Sequence, residues 1–435
     1  MIKRSFIFIF VLFFAAGASA QQYRLRYSTG ADEPISLENA IRLALENNYD
    51  LLLTEQDVII AEQRVKEAKY LYLPQLSLNA NATAYNLDYP AVLPENLGLR
   101  FLDKTSGTGH KNEDLFYAVG VQATQYLYTG GRTSSTVSLA NATLKEALSR
   151  YEAVKSSIIY RAKEAFFEYL YLQHKEAVVK EAYDKAQTII GRAREGKWQQ
   201  VLVKAEMASL TEEADKTAQE VNAAHLNLLG VLNKELNAKV SISGSFEFEP
   251  LDVDLEKITL WAMEYRPELK SALYKLEMDN IAVNLSLAKR YPDILLGVGY
   301  DRLGQDSLRD ENFQITLGLS LPIGFDYATQ LKQKRAEQRQ TTLRRAAIED
   351  AIRLQVRSAY NNLSYWQAQA QARRKDWEAI REDFKNIDKS GLAGEDVVKA
   401  FEYYYKTGVG YLEAVKRHLL CVAELELAVG QDIRK

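Results

Sequence analysis

The sequence has little cysteine and few long apolar runs, and each scarcity excludes a class of protein. Its one cysteine, Cys421, cannot form a disulfide framework within the chain, and it lies far from the beginning, where a lipid anchor would be attached. Beyond the first twenty residues no stretch reaches ~18 consecutive apolar residues, so we expect no membrane-spanning helix. If the chain enters a bilayer, strands must carry it there.

Signatures of catalysis and of nucleic-acid binding are also missing. The four histidines are scattered without the spacing of metal ligands: His110, His174, His225 and His418. No nucleophile elbow or phosphate loop occurs, and Gly130-Gly131 lacks the spacing of a phosphate cradle. A net charge of −3 disfavours nucleic acid as a partner. We therefore expect neither an enzyme nor a protein with a metal or cofactor.

The first twenty residues have the layout of a secretory signal peptide. Lys3 and Arg4 precede an apolar run from Phe6 to Ala16, and Ala18-Ser19-Ala20 supplies a cleavage site of small residues. The alternative is a membrane anchor, but the apolar run is shorter than the ~20 residues that span a bilayer. We predict a signal peptide over 1–20 and export of the rest, whose net charge is about −5 because 53 basic residues then face 58 acidic ones.

Four stretches alternate between apolar and polar residues, as half-buried strands do. Gln75–Ala84 alternates strictly, a second stretch follows from Tyr117, a third from Ile294 and a fourth from Phe313. They form two predicted hairpins, at about 75–127 and 293–321. If the fourth stretch is a strand, its apolar side chains share one face: Phe313, Ile315, Leu317, Leu319 and Leu321.

Very long segments without glycine or proline predict helices between these hairpins. The segment 132–190 has 59 residues, or ~88 Å of helix, and 325–390 has 66 residues, or ~99 Å. Apolar residues in the first segment follow a heptad spacing, which predicts packed helical neighbours. The segment after 197 predicts a returning helix that ends near Gly230, and Gly430 ends a second one.

The plan of helix, hairpin, long helix, turn and returning helix occurs twice. Asn48 and Arg266 are 218 residues apart, as are Pro74 and Pro292, and the returning arms match at an offset of 195. We predict a first repeat over 21–234, an equatorial segment over 235–265 and a second repeat over 266–435. The turns between the helices are predicted near 191–198 and 390–396.

Four antiparallel strands cannot close a membrane barrel, because the smallest barrels have about eight strands. Two copies would supply eight strands and three would supply twelve, and only the larger barrel has room for a wide lumen. The apolar face would then meet lipid and the polar face a channel. The alternative is a periplasmic sheet packed on helices, which leaves the length of the helices unexplained.

The chain resembles the TolC family of outer-membrane efflux proteins, with motifs spread over nearly its whole length: "ISLENAIRLALENNYDL", "KEAKYLYLPQLSL", "YLYTGGR", "RPELKSAL" and "YLEAVKRHLLCVAELELAVG". The resemblance implies a homotrimer in the outer membrane of a Gram-negative bacterium, with a twelve-stranded β-barrel continued by a long α-helical periplasmic barrel. It also implies an exit duct for an inner-membrane pump, joined through a periplasmic adaptor protein.

The family commonly closes its duct at the helical tips with acidic residues after a turn glycine. Here the resemblance points to Glu395, Asp396 and Lys399 as the pore aperture. The counterpart of Asp396 in the first repeat is Val201 at the 195-residue offset, so a second acid is missing. Asp396 could instead only favour the N-terminus of a helix. The tips that would contact the adaptor contain Gly191, Gly196, Trp198, Gly391 and Gly394, and Trp198 could equally pack on a neighbouring helix.

Two other functions remain open from the residues alone. A soluble periplasmic coiled-coil scaffold would use the same helices without a lumen, and a stand-alone porin would use the same strands without a pump. The long helices argue against the porin, because a diffusion pore gains nothing from a periplasmic tube.

Overall fold

The computed structural model describes residues 34–84, 115–190, 197–304, 310–322, 324, 326–385 and 394–434. The predicted signal peptide therefore lies outside the described residues. The helices are α1 (Leu37–Glu46), α2 (Tyr49–Tyr70), α3 (Arg132–Ile190), α4 (Lys197–Val231), α5 (Leu255–Tyr265), α6 (Pro267–Ala288), α7 (Tyr327–Phe384) and α8 (Gly394–Val429). The strands are β1 (Gln75–Ala84), β2 (Leu115–Tyr128), β3 (Asp293–Gly304) and β4 (Asp310–Ser320).

The four strands form one antiparallel sheet in the order β1-β2-β3-β4. One line of paired residues crosses all four strands: Leu78 lies opposite Val121, Val121 opposite Tyr300, and Tyr300 opposite Phe313. Because paired residues of neighbouring strands point to the same face, the apolar positions of all four strands lie on one side of the sheet.

The helical wall has two levels, and α3 and α7 run through both of them. Near the sheet α2 packs on α3, α3 on α6, and α6 on α7, the same lateral order as the strands. Farther from the sheet α4 and α8 pack on α3, and α7 packs on α8. With 59 and 58 residues, α3 and α7 are each ~87–88 Å long. Within the described ranges, none of the helices has an apolar stretch that could cross a membrane.

Three predicted helix ends need correction. The returning helix α4 continues through Gly230 to Val231, and Asn233 adopts the left-handed backbone with φ of 50°. The amide of Lys234 donates to the carbonyl of Leu229 at 3.0 Å, so this turn satisfies a terminal carbonyl that a helix end would leave bare. Gly394 is the first residue of α8 rather than a turn residue. Helix α7 spans Tyr327–Phe384 instead of 325–390, and 386–390 lie outside the described residues.

The two copies of the plan superimpose along the sequence at the ends of their elements. Helices α2 and α6 begin at Tyr49 and Pro267 and end at Tyr70 and Ala288, so both ends are displaced by 218 residues. The residue before each helix differs: the Asn48 side chain accepts from the amides of Asp50 and Leu51, whereas α6 begins with proline in its first turn.

Between the two levels, segments outside the long helices pack around α3, α7 and α8. Ile35 forms a parallel bridge with Ile242, and α5 packs on α7 and α8. Arg266, at the α5–α6 junction, is buried and donates to Glu268 at 2.7 Å, to the carbonyl of Leu427 at 2.9 Å and to Gln355 at 2.9 Å. One guanidinium thus links α6, α7 and α8.

Candidate channel surfaces

The apolar face of the sheet is a continuous and exposed surface. On β4 the four predicted lipid-facing residues Phe313, Ile315, Leu317 and Leu319 all lie on it, and Leu317 is 71% exposed. Their partners on β3 include Val298 and Tyr300, and the face extends to the far strand through residues such as Val121 and Leu78. In water such a surface would be costly, since exposed apolar area is unfavourable by about 25 cal/mol per Å².

The opposite face consists of small and polar residues. Strand β1 contributes Gln75, Ser77, Asn79 and Asn81, and the other strands contribute Gln122, Gly120, Gly297, Gly299, Gln314 and Thr316. Asp301 is the buried carboxylate of this face, and it lies against Gly120, where an added Cβ would be 1.8 Å from Oδ1 of Asp301. Glycine at position 120 therefore makes room for a charged group on the polar face.

Tyrosines mark the end of the sheet that joins the helices. Five of them are exposed around that junction: Tyr70, Tyr72, Tyr126, Tyr128 and Tyr291. Tyrosine is favoured where an apolar environment meets water, and transmembrane barrels carry aromatic girdles at that depth. The junction therefore has the composition of a membrane interface.

The turn between β2 and α3 depends on two glycines. Gly130 and Gly131 have φ of 61° and 83°, and an added Cβ at Gly130 would lie 2.5 Å from Cβ of Tyr291. Arg132, the first residue of α3, forms an ion pair with Asp293 at the start of β3. The "YTGGR" motif thus fixes the first hairpin to the second.

At the far end of the helices, aromatic side chains pack between α7 and α8. The rings of Phe384 and Tyr404 are stacked with centroids 3.7 Å apart, Phe401 meets Phe384 edge-on at 4.7 Å, and Trp377 lies 4.8 Å from Tyr404. Gly408 makes room for this cluster, because an added Cβ would be 2.8 Å from the Trp377 ring.

The cluster also connects α8 to α3 through a hydrogen bond. The Tyr404 hydroxyl donates to Glu181 at 3.2 Å, and Lys185 donates to the same carboxylate at 2.7 Å. Burial, followed by the negative charge of Glu181, raises the pKa of Tyr404 to about 12. Burial disfavours the ionised form of Glu181, but the hydrogen bonds and charge of Lys185 and the bond from Tyr404 outweigh it and lower its pKa.

The structure describes only part of the predicted aperture and tips. Asp396 and Lys399 are both exposed in the first turns of α8, while Val398 and Phe401 point into the buried aromatic cluster. Gly191, Gly196 and Gly391 lie outside the described residues, as do the side chains of Glu395 and Trp198. Counted from the helix beginnings, α4 and α8 are offset by 197 residues, which moves the counterpart of Asp396 from Val201 to Gln199.

Sequence reasoning missed His418 as a structural residue. Its Nε2 lies 2.9 Å from the carbonyl oxygen of Glu249, and its ring meets Phe248 edge-on at 5.0 Å. Burial lowers the pKa of His418, although the bond to Glu249 acts in the opposite direction. No local motif signals this contact, because its partner is 169 residues away.

Comparisons with known proteins agree with these surfaces. A family model described as outer membrane efflux protein matches residues 40–197 and 261–397, more than half of the chain. No curated protein matches. The fold is similar to that of the CmeC outer membrane channel of Campylobacter jejuni, with 16% identity, a TM-score of 0.71, and coverage of 91% of this chain and 85% of that one.

Two further solved structures have the same fold. The open state of the MtrE outer membrane channel of Neisseria gonorrhoeae is 17% identical with a TM-score of 0.73, over 91% of this chain and 89% of that one. The outer membrane protein VceC of Vibrio cholerae is 16% identical with a TM-score of 0.73, over 91% of this chain and 96% of that one.

Proposed function

The chain belongs to the outer membrane efflux protein family, and we propose that three copies of it form the exit duct of a tripartite efflux or type I secretion system. It is an outer-membrane protein that serves as a passive route out of the cell. The finer parts of the proposal are the homotrimer, the adaptor and pump that deliver the substrate, and the aperture at the helical tips.

The observation that carries the proposal is a two-faced sheet continued by a wall of long helices. The apolar face of the sheet is suited to lipid and the polar face to water, and tyrosines lie where the sheet meets the helices. Helices of ~87–88 Å would extend the same wall far into the periplasm.

Three copies are proposed because one copy leaves the wall open. In the described sheet β1 and β4 are the outer strands, so each has an edge whose amides and carbonyls need partners in lipid. Three copies joined edge to edge give twelve strands, which is large enough for an open lumen. Two copies would give eight, whose interior side chains would fill.

The adaptor and the pump are proposed partners at the far end of the helices. The aromatic cluster of α7 and α8 fixes the two helices beside each other up to the last described turns, which gives a docking protein a firm surface. The tip segments around Gly191, Gly196, Trp198, Gly391 and Gly394 are the proposed contacts.

The aperture is proposed at Asp396, with Glu395 and Lys399 beside it. Asp396 and Lys399 are three residues apart and exposed on α8, so side chains on one helical face can interact. If three Asp396 carboxylates surround the axis, Asp396→Ala should raise the single-channel conductance of the purified assembly and lower its preference for cations. The same current and selectivity in both proteins would remove Asp396 from the pore and leave it a helix-terminal residue.

Fractionation and a leakage assay test the proposed function as a whole. We expect the protein in the detergent-extracted outer membrane, and no increase in uptake of a small dye when it is expressed without a pump and adaptor. Recovery in the soluble periplasm would favour a coiled-coil scaffold. Dye uptake without the pump would favour a stand-alone porin.

A further inference from the structure

The upper helical wall ends in two helix faces that have no neighbour within the described chain. Helices α2 and α7 stand at opposite edges of the row α2, α3, α6, α7. Each edge helix uses one side to pack on its inner neighbour and leaves the other side exposed. The strands continue this arrangement, since β1 and β4 are the outer strands of the sheet.

The exposed face of α2 has the spacing of a helix–helix seam. Its members recur at alternating steps of four and three residues: Tyr49, Leu53, Gln56, Ile60, Gln63, Glu67 and Tyr70. All are exposed except Gln56, which is half-buried, and Leu53 is 66% exposed. A heptad spacing of this kind is typical of a helix that packs along a second helix.

The exposed face of α7 has the same spacing. Its members are Ala336, Gln340, Leu343, Ala347, Asp350 and Leu354, and each is exposed. The two leucines are each 72% exposed, an unfavourable position for an apolar side chain in a water-facing wall. This face therefore also has the composition of a seam.

The interior of the chain contains the same two faces already packed together. A shift of 218 residues carries the α2 face onto α6, where each counterpart is buried or half-buried: Pro267, Ser271, Tyr274, Met278, Ile281, Leu285 and Ala288. "YLQ" in α3 and "YWQ" in α7 are 194 residues apart, and this shift carries the α7 face onto Ala142, Glu146, Ser149, Ala153, Ser156 and Tyr160, all buried or half-buried. Helix α3 packs on α6.

Contacts between α3 and α6 fix the register of that internal seam. Ser271 donates to Glu146 at 3.1 Å, and Lys145 lies over the ring of Tyr274 at 5.5 Å. Carried through the two shifts, Tyr274 becomes Gln56 and Glu146 becomes Gln340. The internal packing thus predicts that Gln56 and Gln340 lie in one layer when α7 of one copy meets α2 of another.

We propose that α7 of one copy packs antiparallel along α2 of the next in the layers Tyr49/Ala347, Leu53/Leu343, Gln56/Gln340 and Ile60/Ala336. The residue numbers in each layer add up to 396. The register agrees with the sheet, because α2 ends at Tyr70 and α7 begins at Tyr327 at the same junction. The layers match in size and polarity: a large side chain meets alanine twice, leucine meets leucine, and amide meets amide.

Charge is complementary beside these layers. Glu55 and Glu62 are exposed on one flank of the α2 seam, and Arg335 and Arg339 are exposed on the flank of α7 that an antiparallel pair brings beside them. The layer positions pair Glu62 with Arg335 and Glu55 with Arg339. Such flanking pairs set partner choice and orientation in coiled coils. The contact is head-to-tail, so it closes into a ring.

This inference rests on the proposed trimer and names the residues that assemble it. The test uses the full chain with Cys421→Ala and a pair of new cysteines, Leu53→Cys with Leu343→Cys, oxidised in outer-membrane vesicles. The matched control is Leu53→Cys with Leu354→Cys, because Leu354 is as exposed as Leu343 but lies ~16 Å farther along α7. Disulfides form only when the Cα atoms are within about 7 Å. A bond within one copy is excluded, because α3 and α6 separate the two helices.

We expect a covalent trimer on a non-reducing gel from the Leu343 pair, at least ten times more abundant than from the Leu354 pair. Equal linking by both pairs, or linking by neither while the unlinked protein still runs as a native trimer, would overturn the seam but not the proposed function. A native monomer before oxidation would overturn both. As a second readout, Glu62→Arg and Arg335→Glu should each lower the temperature at which the trimer dissociates, and the double variant should restore it; an additive loss would contradict the pairing.

Discussion

Helices α2 and α6 are two copies of one element, yet one lies at an edge and the other inside the wall. Both are 22 residues long and their ends are displaced by the same 218 residues. The face that α6 covers with neighbours from its own chain is exposed on α2. The comparison shows that duplication of a wall segment leaves one face uncovered at each end, and that a ring of copies is the arrangement that covers both.

The largest expected effect tests the same contrast between covered and uncovered surfaces in the sheet. Leu317→Arg on the apolar face should cost about 2–4 kcal/mol of folding free energy if the side chain faces the bilayer midplane. Thr316→Arg on the polar face should cost much less, because a wet lumen solvates the charge. Trimer yield in the outer membrane measures both, and equal losses would reject the assignment of the two faces.

A second prediction compares the residues that precede the two copied helices. Arg266→Ala should reduce the free energy of unfolding by about 2–3 kcal/mol, because a buried guanidinium with three hydrogen-bond partners is lost. Asn48→Ala removes only a helix cap and should cost about 1 kcal/mol. Denaturant unfolding of the two variants in detergent measures the difference, and a larger loss from Asn48→Ala would contradict the structural roles given to the two positions.

The smallest effect concerns pH and a buried group of the interior. Burial lowers the pKa of His418 below its ordinary value of 6.5, so the unfolded chain binds the proton more readily than the folded one. His418 therefore adds a loss of stability as pH falls from the ordinary value toward the folded-state pKa. Thermal unfolding at pH 7.5 and 5.5 should show a smaller difference for His418→Gln than for the unchanged protein. An unchanged difference would show that His418 does not titrate in this range.

The sequence predicts the strands and the long helices well, because both depend on local periodicity. The alternation of Gln75–Ala84 is observed as β1 over the same residues, and the predicted 59-residue helix is α3. The predicted fold class and family are confirmed, whereas the trimer, the aperture and the domain limits stay predictions.

Contacts between distant parts of the chain could not be predicted in the same way. Arg266 was visible only as part of a repeated motif, although it joins three helices, and His418 had no motif at all. The end of α4 was misplaced at Gly230 because a glycine near a helix end suggested a stop, whereas the left-handed residue is Asn233. Each miss depends on tertiary packing, which local spacing does not encode.

The most direct test of the account is the number of chains in the assembly extracted from the outer membrane. Native mass spectrometry of the detergent-solubilised protein should give the mass of three copies, which is the number that supplies twelve strands and leaves no uncovered α2 or α7 face. A mass of one or two copies would contradict the central claim, because the wall would then be open or the barrel too narrow for a duct.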